Sequence, residues 1–314
     1  TCSIYVFYKI TYLITADLKT SNITALIALI YPFFNFYSIS ILTETIYIFL
    51  LYISFYYIIK YMQTLKTKYM ILFSIFFALD TLIRFVNLPM YIFFIFLLVI
   101  YMIREKCTFL YISKTISISI FFFSLVMTPW WIRNYYVFDE FVATSAGESG
   151  KVFYSGNNPM NKSGGGIGGV DISRNDLKKF EKIKDLELRD KVMWNAGINW
   201  IKENPSDWII LEVRKLKRLY SPIFYAEKYN KWYYNLLSIM SYGIIFIIFV
   251  YSLVKFKKYF WLYSPMLLYA CLLTGVHLVF IASIRYRLPI EPFMIILSSC
   301  SIALFFKRFN PNEK

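Results

Sequence analysis

Residues 88–103 read LPMYIFFIFLLVIYMI, a run without a single charge, and Arg104, Glu105 and Lys106 follow at once. A bilayer core about 30 Å thick asks for roughly 20 such residues per helix. Lipid offers no hydrogen-bond partner to a backbone, so a run of this kind must satisfy its own peptide groups as a helix. Working outward from it, similar segments occupy 2–14, 23–38, 42–61, 69–84, 111–129, 233–254, 260–282 and 287–306. The short alternating strands of a membrane barrel are not seen. The composition agrees, with 58% hydrophobic, 21% aromatic and 17% charged residues. The expected fold class is an all-α polytopic membrane protein of about nine transmembrane or half-membrane helices. Several segments are shorter than a full span and suit half-membrane helices or tilted pairs. The expected domains are N-terminal helices at 1–129, an extracytoplasmic insert at 130–232, C-terminal helices at 233–306 and a cytoplasmic tail at 307–314.

Charges between the segments set the orientation. Short loops on one side carry Lys19, Lys60, Lys66, Lys68, Arg104, Lys106, Lys255, Lys257 and Lys258, and the tail adds Lys307, Arg308 and Lys314. The opposite short loops, near 39–41, 85–87 and 283–286, hold little beyond Arg285. The positive-inside rule makes the first set cytoplasmic and puts the long insert outside. The insert holds 17 basic and 13 acidic side chains, and its length exempts it from that rule. The net charge of +15 is thereby explained by topology signals facing anionic membrane lipids. No nucleic-acid partner is implied, and no zinc-finger, RNA-binding or basic-zipper pattern occurs.

The four cysteines and one histidine lack C-x-x-C or H-x-x-x-H spacing, so no cofactor or metal is firmly implied. A divalent metal stays open, but no ligand set is visible. Within the insert, PWWIRNYYVFDEF (129–141) and SAGESGKVFYSGNNPMNKSGGGIGG (145–169) read as irregular loop, from their clustered Gly, Ser, Asn and Pro. Gly164, Gly166 and Gly169 match G-x-G-x-x-G in spacing, but no βαβ unit surrounds them. Asn161-Lys162-Ser163 is a glycosylation sequon, meaningful in a eukaryotic secretory host. Residues 171–220 are expected to be helical and to rest on the membrane surface rather than form a domain. Asn204 is a candidate N-cap, Pro205 suits a first turn and Asp207 complements the dipole. In that helix Ile209, Val213, Leu216 and Tyr220 share a face, with Arg214, Lys215, Lys217 and Arg218 around it. The cations then meet either lipid headgroups or an anionic lipid substrate.

Ionisable groups inside or beside spans are costly and often functional. They are Glu44, Asp80, Arg84, His277, Arg285, Arg287 and Glu291, with Arg133 just outside. All but Asp80 fall near the external face. Guanidiniums beside a carboxylate suit a phosphate-bearing ligand, because the Arg fork matches phosphate oxygens. Each also has a plainer role open to it. Asp80 and Arg84 can pair at i, i+4, His277 can be a hydrogen-bonded interface residue, Glu291 can face the water boundary, and Glu44 can complement a helix N-terminus.

These positions fall in stretches that resemble a family. YPFFNFYSISILTETIYIFLLY (31–52) is similar to the Pro-then-acid helix start of GT-C membrane glycosyltransferases. ALDTLIRFVNL (78–88) resembles their L-x-R-x-x turn. TPWWIRNYYVFDEFV (128–142) followed by FYSGNNP (153–159) resembles their P-W-x-I-R-N and G-N-N-P run. WIKENPSDWIILEVRKLKRLYSP (200–222) looks like their helix pair before the later spans, and HLVFIASIRYRLPIEPFMIIL (277–297) resembles their R-Y-R-x-P-x-x-P motif. The likeness runs in order over nearly the whole chain. It is nearest to the dolichyl-phosphate-mannose protein mannosyltransferase-like branch, glycosyltransferase family 39.

The resemblance implies transfer of a sugar from a polyprenyl-phosphate donor to a protein, lipid or glycan acceptor on the extracytoplasmic side, with inversion at the anomeric carbon. Glu44 matches the family's second acid, a catalytic residue. Arg84, Arg133, His277, Arg285 and Arg287 are the candidate substrate-binding residues. The family's first helix and acidic first loop have no counterpart here. The principal catalytic acid is thus expected to precede Thr1, and the chain alone is expected to be inactive. The alternatives are a lipid-linked sugar transporter or flippase, or a non-catalytic lipid-binding membrane protein. The richness in Ile, Lys, Tyr, Phe and Asn suggests an AT-rich genome and a bacterial cytoplasmic membrane, with the site facing outward.

Overall fold

The computed structural model describes residues 2–40, 42–143, 149–166, 170–225 and 229–309, with side chains as far as 306. Gly169 and Lys314 lie outside the described residues, as do the side chains of Lys307 and Arg308. Among the described residues there are helices and no strands.

Among the described residues six helices are long and apolar enough to cross a membrane: Glu44–Thr64, Asn87–Arg104, Phe109–Phe138, Trp232–Lys255, Lys257–Val279 and Ile284–Phe306. They mark a multi-pass α-helical membrane protein. The expected count of nine, which included half-membrane helices, is not confirmed, although each of the nine segments is helical. Cys2–Thr15 has 14 residues, about 21 Å at 1.5 Å per residue and short of the hydrocarbon core. Thr67–Ile83 has 17 residues. The segment expected at 23–38 is two helices, Leu18–Ile30 and Pro32–Ile39, bent by 53° and counting as a seventh span if taken together. The bend follows from Pro32, which pushes the residue before it out of the helical region. Tyr31 is accordingly extended, at φ −68° and ψ 116°. Asn35 Nδ2 donates to the Leu29 carbonyl at 3.2 Å across the break.

The chain divides into two compact units. The first comprises Thr1–Arg133, Trp232–Ala270 and Leu288–Lys314. Its core is aromatic: Phe55, Phe73, Phe77, Tyr91, Phe94 and Tyr269 are buried and meet ring to ring, as Phe77 and Phe94 do at 5.1 Å and Phe55 and Tyr269 at 5.6 Å. Edge-to-face pairs of this kind add attraction beyond the area they bury.

The second unit comprises Asn134–Lys231 and Cys271–Arg287, and so includes a segment from the expected C-terminal block. The expected irregular loop is partly helical. Phe109–Phe138 runs through Pro129, since a proline deletes one hydrogen bond and the following residues carry no glycine. Ser149–Gly156 forms another helix, started by Asp190, whose carboxylate accepts from Gly150 N at 2.6 Å and Ser149 Oγ at 2.8 Å. Residues 174–220 are helical as expected, in Arg174–Glu181, Leu186–Glu203 and Pro205–Tyr220. Asp185 caps the second of these through Glu187 N and Leu188 N. Asn204 does not cap the third. Its side chain turns back to the Trp200 carbonyl at 3.1 Å and closes the preceding helix. The insert is also more than a surface layer, because Tyr154, Ile172 and Met193 form a small core joined by Leu177, Phe180 and Ala196.

Candidate functional site

In the first unit, Glu44 is the opening residue of Glu44–Thr64, where a carboxylate complements the helix dipole. Arg84 ends Thr67–Ile83 in extended conformation, which frees its side chain from the helix surface. Its Nη2 donates to Glu44 Oε1 at 2.5 Å; Glu44 is 1% exposed and the Arg84 side chain 20%. The guanidinium also lies over the Tyr47 ring, 4.9 Å from its centre. The fold thus joins an acid and a cation forty residues apart. The pairing of Asp80 with Arg84 at helical spacing is not made. Instead Asp80 Oδ2 accepts from Asn87 Nδ2 at 2.7 Å, while Asn87 Oδ1 accepts from Tyr47 at 3.2 Å, and the Tyr47 and Tyr269 hydroxyls touch. Asp80, Asn87, Tyr47 and Tyr269 are all buried. The carboxylate is released to Asn87 because Arg84, once out of helical conformation, no longer stacks over residue 80.

Arg133 is exposed and rests over Trp130 at 5.3 Å. Glu291 does not face the water boundary: it is 1% exposed at the first turn of Glu291–Phe309.

In the second unit, Arg287 is fully buried. Its Nη1 donates to the carbonyls of Leu219 and Ser221, the free acceptors at the end of Pro205–Tyr220. A cation at that place satisfies orphan carbonyls and the negative end of the dipole together, so these contacts are those of a helix cap. Arg285 is half-buried. His277 holds the turn that follows its helix, with Nδ1 3.0 Å from the Ile281 carbonyl and its ring stacked on Tyr286 at 4.3 Å.

The helix Pro205–Tyr220 departs from the sequence reading in two of its four cations: Arg214 and Lys217 are exposed, but Lys215 and Arg218 are buried. Ile209, Val213 and Leu216 are exposed, while Leu211, Lys215, Arg218 and Leu219 are buried. Lys215 Nζ donates to Glu212 at 2.7 Å, to the Leu278 carbonyl at 2.7 Å and to Asn157 Oδ1 at 3.1 Å. Burial lowers the Lys215 pKa and raises that of Glu212, each against the pull of its partner. Arg218 Nη1 donates to Ser163 Oγ at 2.5 Å, Ser163 in turn to Asp171 at 2.5 Å, and burial lowers the Arg218 pKa as well.

The glycine-rich stretch is the cradle for this face. Gly164 has φ +78°, and a Cβ there would come within 3.0 Å of the Lys215 backbone; one on Gly165 would meet Asp171 and Arg218 at 2.5 and 2.7 Å. Glycine is needed for close approach to a helix, which accounts for Gly164 and its neighbour without a nucleotide. The G-N-N-P asparagines are staples. Asn157 Nδ2 reaches the Phe153 and Val279 carbonyls, and Asn158 Nδ2 those of Tyr154, Ser155 and Asp171. The sequon residue Asn161 is 3% exposed and donates from Nδ2 to Ser155 and Gly165 carbonyls, each at 2.8 Å, so glycan attachment would require this turn to open.

Sequence reasoning missed Lys215, Arg218 and Asp171 as buried groups, and Asn87, Tyr47 and Tyr269 as partners of the intramembrane charges. Spacing held a signal for the first set: Leu211, Lys215, Arg218 and Leu219 lie at i, i+4, i+7 and i+8. Among the described residues, no group of three or more His, Cys, Asp or Glu side chains is placed to hold a metal ion. No protein-family model, curated protein or solved structure matches the chain.

Proposed function

We propose that this chain is part of a membrane glycosyltransferase that moves a sugar from a polyprenyl-phosphate carrier to an acceptor on the extracytoplasmic side of a bacterial cytoplasmic membrane. The observation that carries the reading is the buried Glu44–Arg84 pair at a helix start. A guanidinium has five donors, and Arg84 uses Nη2 on Glu44 while a fifth of its side chain stays open. The remaining donors can meet phosphate oxygens. In the transfer, the acceptor oxygen bonds to the anomeric carbon as the bond from that carbon to the phosphate oxygen breaks. The electron pair leaves on the carrier phosphate, where cations stabilise it. A carboxylate takes the acceptor proton, and Glu44, which matches the family's second acid, fixes Arg84. Arg287 and His277 serve by holding their own unit in shape.

The test is transfer of a labelled sugar from a polyprenyl-phosphate donor in membranes carrying the gene's full product. Arg84→Ala is expected to weaken donor binding by about 2–5 kcal/mol, the range for losing a desolvated charge contact. Glu44→Gln is expected to slow turnover more than it weakens binding. Wild-type transfer by both folded variants would remove the proposed roles, and no binding of any polyprenyl-phosphate sugar would remove the function.

A further inference from the structure

The first unit also contains a trough, of about 490 Å³, that the transfer chemistry does not use. Tyr5, Val6 and Lys9 of Cys2–Thr15 line one wall and Phe49, Ile53 and Tyr56 of Glu44–Thr64 the other. These positions are spaced by one helical turn on each helix, so two long stripes face one another. The helices run side by side in one direction: Phe7 meets Tyr52 at 4.9 Å, and Gln63 Nε2 donates to the Leu13 carbonyl at 2.6 Å. The trough therefore follows the helix axes for about 10 Å, or seven residues.

Its charge is all of one sign. Lys9 Nζ lies 5.2 Å from the centre of the Tyr5 ring and 6.0 Å from that of Tyr8. Lys60 Nζ lies 4.9 Å from Tyr56, a lining residue, and 5.3 Å from Tyr69. Among the described residues no carboxylate forms an ion pair with either lysine. Ring faces offset part of an ammonium charge, but an ammonium within an apolar helix is normally paired or turned to water. Lys9, at the middle of its helix, and Lys60, one turn beyond Tyr56, stand at the end of the trough away from Cys2 and Phe49.

We propose that this trough holds one anionic phospholipid of the bilayer, its phosphate at the Lys9 and Lys60 end and an acyl chain along Val6, Phe49 and Ile53. An amphiphile with one negative head and an apolar tail matches both the sign and the direction of the site. The proposal stands apart from the transfer reaction and does not rest on it.

Two native cysteines make the test possible without altering the chain. Cys2 lines the trough, and both Cys2 and Cys271 are exposed. Modification by N-ethylmaleimide would be followed at each in the full chain, in neutral detergent with added phosphatidylglycerol, phosphatidylcholine or polyprenyl phosphate. Phosphatidylglycerol is expected to slow Cys2 about fivefold relative to phosphatidylcholine, the protection 1 + [L]/Kd reached near four times Kd, and to leave Cys271 unchanged. Lys9→Gln is expected to abolish the difference, and Lys114→Gln, a lysine on another span, to preserve it. Equal protection by phosphatidylcholine would mean an unselective apolar surface. Protection by polyprenyl phosphate alone would mean a carrier-lipid site. Either result, an equal loss in Lys114→Gln, or no protection of the unsubstituted chain would overturn the proposal.

Discussion

Arg84 shows how far a residue can be judged from sequence. Its place beside a span and its likeness to a motif marked it as notable, but the i, i+4 carboxylate was the nearer partner on paper. The chain leaves helical conformation at Arg84, and a contact forty residues away wins. Removing one member of a buried pair leaves the other uncompensated, at about 3–5 kcal/mol when burial is complete. Arg84→Leu and Glu44→Leu are each expected to lower stability by about 3 kcal/mol, and the double substitution by less than their sum. Denaturant unfolding of the four proteins checks this; simple additivity would mean that the pair contributes nothing. Gly164 is the converse case, a residue whose motif match lacks the βαβ context and whose place backbone geometry explains. Gly164→Ala is expected to cost about 1–3 kcal/mol through left-handed strain and the close Lys215 backbone, read as faster hydrogen exchange in Pro205–Tyr220. Unchanged exchange would contradict the cradle.

At the scale of elements, helices were legible and the burial of individual cations on them was not. Periodicity located Leu186–Glu203 and Pro205–Tyr220 within two residues, because apolar spacing and Pro205 are local signals. The burial of Lys215 and Arg218 on Pro205–Tyr220 was not foreseen because buried lysine and arginine are admissible only with partners, and most of these come from 157–171 and 278, far along the chain. The same burial gives this element a pH signature. Glu212 is raised above its ordinary 4.5, so between 4.5 and its folded value the folded state holds a proton that the unfolded chain has lost. Stability of the insert is therefore expected to fall as pH rises through that window. Lys215, lowered from 10.5, loses its proton first in the folded state, so stability recovers toward alkaline pH. In Glu212→Gln the acid-side slope is expected to flatten, measured as hydrogen-exchange stability across pH 4–8. An identical slope in the variant would assign it to other carboxylates.

At the scale of the molecule, hydropathy located the apolar segments and showed that several are shorter than a full span. The short first segment, read as 2–14, is the helix Cys2–Thr15, whereas the 53° bend at Pro32 is seen only in the structure. The orientation argued from loop lysines has a direct check. Cysteines at Lys179, exposed on the insert, and at Gln63, exposed at the end of Glu44–Thr64, are expected to react from opposite sides, Lys179 from outside. Reaction of both from one side would reverse the proposed site face. Finally, the buried Tyr47–Tyr269 contact has a consequence for biogenesis. Tyr47, Asn87 and Asp80 enter the membrane early, yet Tyr269 is synthesised 222 residues after its partner. At translation rates of about 5–20 residues per second, that is a wait of roughly 10–45 s. Throughout it, a polar cluster lacks one of its own hydroxyls and must be sheltered by the insertion machinery or by neighbouring helices. A nascent chain arrested before residue 269 should therefore be a preferred substrate for membrane quality-control proteolysis, and one arrested beyond it should be spared.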